Sequence, residues 1–330
     1  MLFRTVPIIL LIIFLLIPMN FPGKAKEKNP FGITLKAQSL SEENFKKVIE
    51  DLHTGWYRPA PVFLNRWNGI DPDPEIEVVK EMGLSIVLTV RNNGGIYEST
   101  TSPSNREDFK RILAEVLHII KPSILVVENE ENNRIFYKGT VGEYGGELKA
   151  SVEVAHGKNI PCTNGGLTCK TVMLLVYQHY IDEGKTDKAR AFARRSFNER
   201  LLWQAENKHD ELMPEIEKGR EFLKIYKEAN IDYVNFHWYV SDPVALEEAV
   251  TYMKKETGLP VIINEIGLLK EDEKPEKIKG LMKKIMDMKL PIAVWYSVDG
   301  TNSNSLVGND GKLRETGKTF KNFIIKTFGE

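Results

Sequence analysis

The sequence is poor in several features that point to a particular class of function, such as cysteines, an excess of one charge and a phosphate-binding loop. Only two of its 330 residues are cysteines, and its 45 basic and 46 acidic side chains leave a formal charge of −1. A balance this close to neutral gives no electrostatic reason to expect a nucleic-acid partner. No glycine-rich phosphate loop is present, because Gly94 and Gly95 lack the third glycine and the helix start of that motif. We find no internal repeat and no low-complexity tract.

The two cysteines, Cys162 and Cys169, stand seven residues apart. In an exported protein such a pair can form a disulfide that closes a small loop, and the alternative is two reduced, half-buried thiols. No histidines cluster with them. Only His237 stands at the end of a predicted strand, so we expect no metal site.

The N-terminus carries the longest apolar run of the chain. Arg4 precedes apolar residues 6–16, and Gly23-Lys24-Ala25 offers small residues for cleavage after Ala25. The run is short for a transmembrane span, which needs about 20 apolar residues. We predict that residues 1–25 are a signal peptide, with an uncleaved anchor at residues 6–21 as the alternative. Both interpretations place the globular part outside the cytoplasm, secreted or at the cell surface, and only this segment would contact a membrane.

From residue 31 onward, short apolar runs alternate with amphipathic stretches. Eight runs are predicted strands: 31–35, 55–58, 84–90, 124–127, 159–162, 231–236, 260–263 and 291–294. Amphipathic stretches between them predict helices, and residues 167–229 read as helical almost throughout. The alternation predicts an α/β fold, one (β/α)8 TIM barrel over residues 26–330 with one or two extra helices between strands five and six. A doubly wound open sheet could be built from the same alternation.

Polar or aromatic residues end nearly every predicted strand, whereas the opposite strand ends show this less. In a barrel, ligands meet the C-terminal ends of the strands. In chain order, these ends hold Arg58, Arg91-Asn92-Asn93, Glu128-Asn129-Glu130, Thr163-Asn164, His237-Trp238-Tyr239, Asn264-Glu265 and Trp295-Tyr296. The asymmetry predicts a ligand site at that face of the barrel.

Two of these residues, Glu130 and Glu265, are carboxylates about 135 residues apart in sequence. A retaining glycosidase needs such a pair, one as acid/base and one as nucleophile. We predict that Glu265 is the nucleophile, kept ionised by a cation and by hydrogen bonds for which Arg58 and Tyr239 are candidates. Glu130 would be the acid/base, with a pKa raised by burial and by the nearby negative charge. No cofactor is expected, because the two carboxylates carry both the proton transfer and the covalent transfer.

Two further strand-end residues suit a sugar. Asn129 has an amide that can bond a 2-hydroxyl group, and Trp295 offers a flat apolar face for stacking on a pyranose ring. Trp295 could instead cap the barrel core. Glu128 and Glu131 flank the Asn129-Glu130 pair, so either could be the acid, and Glu128 points to the same side of a strand as Glu130.

This set of residues resembles the cellulase-like superfamily of retaining glycoside hydrolases, clan A. In that clan an Asn-Glu pair ends the fourth strand and a Glu ends the seventh, and Asn129-Glu130 and Glu265 match these positions in order and spacing. The resemblance implies that Glu130, rather than Glu128, is the acid/base, because the Asn directly precedes it.

The pattern is closest to glycoside hydrolase family five. In that family an Arg on strand two, a His-x-Tyr on strand six and a Trp on strand eight line the subsite of the reacting sugar, and the matching residues here are Arg58, His237, Tyr239 and Trp295. One departure is that the family's His near the end of strand three is replaced by Arg91-Asn92-Asn93.

The sequence therefore predicts an exported barrel that cleaves a β-linked glycosidic bond in an oligo- or polysaccharide with net retention. The alternative is a barrel that binds a glycan or a cell-surface partner without turnover. The presence of two matched carboxylates argues against that alternative, since a binding module has no need of them. Other hydrolase or lyase chemistry on the same barrel is not excluded by fold alone.

Overall fold

The computed structural model describes residues 28–35, 42–70, 75–95, 98–268, 274–296, 305–308 and 310–329. The predicted signal peptide or anchor, residues 1–25, lies outside the described residues. None of the helices in the described part of the chain combines the length and the apolar character needed to cross a membrane.

Eight parallel strands form a nearly closed barrel, which confirms the predicted fold. The described residues contain nine strands, all of which except β3 belong to the barrel: β1 (Phe31–Ile33), β2 (Trp56–Tyr57), β3 (Val62–Phe63), β4 (Ser85–Arg91), β5 (Ile124–Val127), β6 (Cys162–Asn164), β7 (Val234–Trp238), β8 (Val261–Ile266) and β9 (Ala293–Trp295). The order around the barrel is β6-β5-β4-β2-β1-β9-β8-β7, and the short β3 pairs only with the end of β4. Isolated parallel bridges, Thr163 with Tyr233 and Leu167 with Phe236, join the β6 and β7 regions.

Helices surround these strands. In the described residues they are α1 (Glu42–Leu52), α2 (Glu75–Glu81), α3 (Arg106–Ile120), α4 (Val141–His156), α5 (Cys169–Asp182), α6 (Thr186–Ser196), α7 (Glu199–Asn207), α8 (Met213–Glu228), α9 (Pro243–Thr257), α10 (Pro275–Asp287) and α11 (Glu315–Phe328). Four helices, α5 to α8, connect β6 to β7, so the insertion is larger than the one or two extra helices predicted. Side-chain caps separate these helices, although the sequence reads as helical almost throughout. For example, the Asn198 side chain accepts from the Leu201 N–H at the start of α7.

Strand residues alternate between two apolar layers. The barrel interior holds a cluster formed by Trp56, Val87, Ile124, Val126, Ile262, Ile292 and Val294. The residues between them in sequence, such as Leu88, Leu125 and Ala293, belong to the larger core between strands and helices. This alternation is the period of two expected of strands. It decides which strand-end side chains can face the mouth of the barrel.

Of the two alternatives for Cys162 and Cys169, the structure has the free thiols rather than the disulfide. The Cys162 N–H donates to Asp232, which precedes β7, whereas the Cys169 Sγ accepts from the N–H of Tyr239, which follows β7. A five-residue strand, roughly 16 Å long, lies between these two contacts. A bridge needs Cα atoms within about 7 Å of each other.

Candidate active site

Glu130 and Glu265 meet at the C-terminal face of the barrel. One carboxylate oxygen of each lies within 4.8 Å of the other and of a ring nitrogen of His237. Glu130 follows β5 and Glu265 lies near the end of β8, so two distant parts of the sequence supply the pair. Both side chains keep contact with the opening, at 16% and 12% exposure.

A β-bulge turns Glu265 toward this opening. From Asn235 to His237, β7 advances two residues while β8 advances three, from Ile262 to Glu265. The pairing of β8 with β9 shows the same extra residue between Ile263 and Ile266. Because Ile263 and Ile266 both belong to the outer core, the extra residue puts both Asn264 and Glu265 on the other side. A bulge that re-aims a side chain in this way is frequent beside active sites.

Three groups surround the Glu265 carboxylate. Arg58 Nη1 donates to Oε2 at 2.7 Å, Tyr239 Oη donates to Oε1, and His237 Nδ1 lies 3.6 Å from Oε1. Burial by itself would raise the pKa of Glu265, but His237 and Arg58 outweigh it, so this pKa lies below its usual value. The carboxylate is therefore held in the ionised form that a nucleophile requires.

Arg58 ties this carboxylate to the rest of the site. Its guanidinium also donates to Asn129 Oδ1 at 2.9 Å, to the Asn264 carbonyl at 3.2 Å and, through Nε, to Thr89 Oγ1 at 3.3 Å. These contacts join the ends of β2, β4, β5 and β8. The structure thus brings the predicted residues Arg58, Asn129 and Tyr239 together around Glu265.

Glu130 is held differently. Its Oε2 accepts from Asn133 Nδ2 at 3.0 Å, and its Oε1 lies 3.1 Å from His237 Nδ1. No arginine or lysine forms an ion pair with it among the residues that the structure describes. The environments of the two carboxylates therefore differ, because Glu265 has a buried guanidinium partner and Glu130 has an amide and an imidazole.

His237 bridges the two carboxylates and is itself fully buried. Burial alone would lower its pKa, but Glu265 and Glu130 raise it above its usual value. The opposite edge of the ring lies against Gly166, where an added Cβ would stand 2.5 Å from Nε2. Gly166 also has a φ of +103°, which glycine adopts readily. The sequence reasoning missed Gly166, although the pair Gly165-Gly166 just after a strand is a signal for such close approach.

The acidic neighbours of Glu130, Glu128 and Glu131, are both enclosed. Glu128 is fully buried and accepts hydrogen bonds from the Asn92 N–H and the Thr100 hydroxyl. Glu131 is also fully buried and accepts from Asn164 Nδ2 and Tyr226 Oη. Of the three carboxylates in this segment, Glu130 is the one that faces the opening.

Trp295 does not join the site. Its predicted role as a sugar platform is therefore wrong. Val294 belongs to the interior cluster, so the next residue along β9 points to the helices. The Trp295 ring is 2% exposed and meets Phe320 of α11 edge to face, with centroids 6.0 Å apart. Stacking on a sugar needs an open ring face, and packing against α11 occupies this side chain instead.

A metal ion fits this arrangement poorly. Glu130, His237 and Glu265 form the only set of histidine, cysteine and acidic donors that converges within the described part of the chain. However, the Arg58 guanidinium already lies 2.7 Å from Glu265 and would repel a second cation.

Residues 214–320 match the family model of the glycosyl hydrolase catalytic core. The matched stretch contains β7, β8 and β9, and so Glu265, His237 and Tyr239, but not Glu130. No curated protein matches the chain.

Solved structures share the fold over almost the whole chain. An endo-β-1,3-glucanase of glycoside hydrolase family 128 from Amycolatopsis mediterranei, in complex with laminarihexaose, is 10% identical with a TM-score of 0.53, covering 89% of this chain and 99% of that one. One from Sorangium cellulosum is 14% identical with a TM-score of 0.53, covering 88% and 97%. An endo-β-1,4-mannanase from Thermotoga petrophila is 12% identical with a TM-score of 0.52, covering 92% and 78%. The chain thus shares the (β/α)8 barrel fold of these structures.

Proposed function

We propose that this protein is a retaining glycoside hydrolase that cleaves a β-linked bond in an oligo- or polysaccharide. The observation that carries the proposal is the meeting of Glu130 and Glu265, with oxygens within 4.8 Å of each other. Retaining enzymes place their two carboxyl groups about 5–5.5 Å apart, whereas inverting enzymes leave roughly 6.5–9.5 Å for a water. The short separation supports retention.

In the first step, Glu265 attacks the anomeric carbon. A covalent bond forms between its carboxylate oxygen and that carbon, while the bond to the leaving oxygen breaks and Glu130 donates its proton to that oxygen. Arg58 and His237 favour the ionised form of Glu265 beforehand. Asn129, whose Oδ1 accepts from Arg58, keeps its amide N–H groups available for the 2-hydroxyl of the reacting sugar.

In the second step, Glu130 acts as a base. Having given its proton to the leaving oxygen in the first step, Glu130 is now a carboxylate. Glu130 then takes a proton from water, the hydroxide adds to the anomeric carbon, and the bond to Glu265 breaks. The enzyme returns to its starting state after two inversions, which give net retention.

The substrate class follows from similarity rather than from this geometry. Two of the similar structures are endo-β-1,3-glucanases and one is an endo-β-1,4-mannanase. We infer that β-1,3-glucan and β-mannan oligosaccharides are the first substrates to test. An extracellular location, which the apolar N-terminal run predicts, is where such polysaccharides would be met. The closer likeness to family five remains a prediction.

The test uses aryl β-glycosides, two variants of the site and one control variant. Glu265→Ala should lose turnover, and added azide should restore it with an inverted, α-linked glycosyl azide as product. Glu130→Ala should also lose turnover, and azide should then give the β-linked azide. Glu248→Gln, on α9 and bonded to Tyr180 and Arg195, is the control and should keep wild-type activity. Undiminished turnover in Glu265→Ala would exclude the assigned nucleophile, and glycan binding without any turnover by wild type would leave only a binding function.

A further inference from the structure

The segment that carries Glu130 has an unusual backbone. Glu128 has a φ of +66° and Glu130 a φ of +43°, so two residues with side chains lie in the left-handed region within three positions. Such conformations cost free energy and persist where the surroundings hold them. The Glu130 side chain contributes little to holding this backbone conformation, because its contacts are the Asn133 amide and the His237 ring.

Glu128 is bonded more extensively than Glu130. Its Oε1 accepts from the Asn92 N–H at 2.8 Å, and its Oε2 accepts from Thr100 Oγ1 at 2.7 Å and from Arg91 Nε at 3.4 Å. Burial and the Glu128 charge raise the pKa of the neighbouring Glu147 on α4 well above its usual value, so Glu147 keeps its proton and can donate it to Glu128. Every one of these partners is a donor toward the Glu128 carboxylate.

Arg91 extends this cluster to two loops. Its Nη1 donates to the Gly95 carbonyl at 2.8 Å, and its Nη2 donates to the carbonyls of Glu98 and Phe136 at 3.2 and 2.7 Å. The guanidinium therefore joins the loop after β4 to the loop after β5. Arg91 is 2% exposed, so these contacts are removed from water, where charged hydrogen bonds are strong.

We propose that Glu128 is a positioning residue: it fixes the left-handed turn that aims the Glu130 carboxyl at the leaving oxygen of the substrate. The inference rests on the proposed role of Glu130 as acid/base. Glu128 touches no substrate, because it is fully enclosed. Glu131 supports the far side of the same turn through Asn164 and Tyr226.

The experiment compares two substrates of the same sugar. A 2,4-dinitrophenyl β-glycoside has a leaving group that departs without a proton, whereas an alkyl β-glycoside needs the acid. In Glu128→Gln, the amide N–H groups would face hydrogen-bond donors. We expect this variant to lower kcat/KM for the alkyl glycoside roughly 10-fold or more, which is a fraction of the 10²–10⁴-fold that general acid catalysis supplies. The same variant should lower kcat/KM for the dinitrophenyl glycoside less than about 3-fold, because kcat/KM reports the first step alone.

Thr100→Val is a second, milder variant. It removes one hydrogen bond at 2.7 Å from Glu128 and keeps the shape of a fully buried side chain, so it tests the proposal even where Glu128→Gln fails to fold. Thr100→Val should also lower kcat/KM more for the alkyl glycoside than for the dinitrophenyl glycoside, and its loss for the alkyl glycoside should be smaller than that of Glu128→Gln. Glu248→Gln, a partly buried carboxylate bonded to a tyrosine and an arginine elsewhere, should lower neither value.

Equal losses for both substrates in either variant would mean that Glu128 only stabilises the fold, and the proposal would be overturned. Unchanged kcat/KM for the alkyl glycoside in both folded variants would also overturn it. Failure of the proposed function looks different, because the wild-type protein would then turn over neither substrate.

Discussion

Removing the positive charge beside Glu265 gives a sharp prediction for the pH dependence of activity. Arg58→Met keeps the apolar stem of the side chain and removes the guanidinium, whose Nη1 lies 2.7 Å from Glu265 Oε2. Both side chains are nearly enclosed, at 9% and 12% exposure, so solvent screens this contact weakly. Arg58 is one of the groups that lower the pKa of Glu265, after His237.

The magnitude follows from the strength of one charged hydrogen bond. Such a bond is worth about 1.5–3 kcal/mol. At about 1.4 kcal/mol per pH unit, its loss raises the pKa of Glu265 enough to move the acid limb of kcat/KM upward by about 1–2 pH units. The sign follows from the proposed role of Glu265 as nucleophile, because the protonated carboxyl cannot attack the anomeric carbon. Folding stability should also change. The lowered pKa of Glu265 contributes stability above its unfolded pKa of about 4.5, and this contribution should be smaller in Arg58→Met.

The assay is kcat/KM of an aryl β-glycoside measured from about pH 3.5 to pH 8, with thermal unfolding checked at each pH. Arg58→Lys is the matched control, because it keeps the charge near Glu265 and loses the planar bonds to Asn129 and Thr89. We expect the acid limb of the kcat/KM profile of Arg58→Lys to lie close to that of wild type, and its kcat to be lower. A folded Arg58→Met protein whose acid limb coincides with that of wild type would refute the electrostatic role of Arg58.

Three further changes test other contacts. Tyr239→Phe removes the hydroxyl that donates to Glu265 and should lower kcat about 10-fold or more, as the loss of about 1.5–3 kcal/mol implies; an unchanged kcat would contradict this. Gly166→Ala places a Cβ 2.5 Å from His237 Nε2 at a φ of +103° and should cost about 1–3 kcal/mol in urea unfolding; a cost no larger than that of Gly142→Ala, whose Cβ meets nothing within 4 Å, would contradict it. Burial raises the pKa of Glu131 to about 6 despite its bonds to Tyr226 and Asn164, so its contribution to stability is present below about pH 4.5 and is lost as the pH rises through 6. The unfolding free energy of wild type relative to Glu131→Gln should therefore fall by about 2 kcal/mol across this range, and a constant difference would contradict the assignment.

Parts of this fold could be predicted because local pattern determines them. Helix α3, over residues 106–120, follows from local signals, since Asn105 caps it and its apolar residues line one face. The strand over residues 124–127 is likewise a short, fully buried apolar run. The carboxylates could be found because Glu130 stands three residues after the run 124–127 and Glu265 two residues after the run 260–263.

Other parts depend on neighbouring strands. The bulge in β8 is set by its pairing with β7 and β9, so the sequence of β8 does not indicate which way Glu265 points. Trp295 shows the opposite case, because simple alternation along β9 turns it to the helices, and its position at a strand end was misleading. The cluster around Glu128 joins β4, β5 and α4, and Arg91 could be seen in the sequence only as a polar strand end.

The most direct test of the central claim, that Glu265 is the nucleophile of a retaining enzyme, is to trap its covalent intermediate. A 2-deoxy-2-fluoro aryl β-glycoside with a good leaving group should inactivate the protein, because the fluorine slows both steps while the leaving group keeps formation of the glycosyl ester faster than its breakdown. Peptide mapping by mass spectrometry should then place one added fluorosugar on Glu265, and Glu265→Gln should acquire none. A label on another carboxylate, or steady hydrolysis of natural substrate with first-formed products of inverted configuration, would contradict the account.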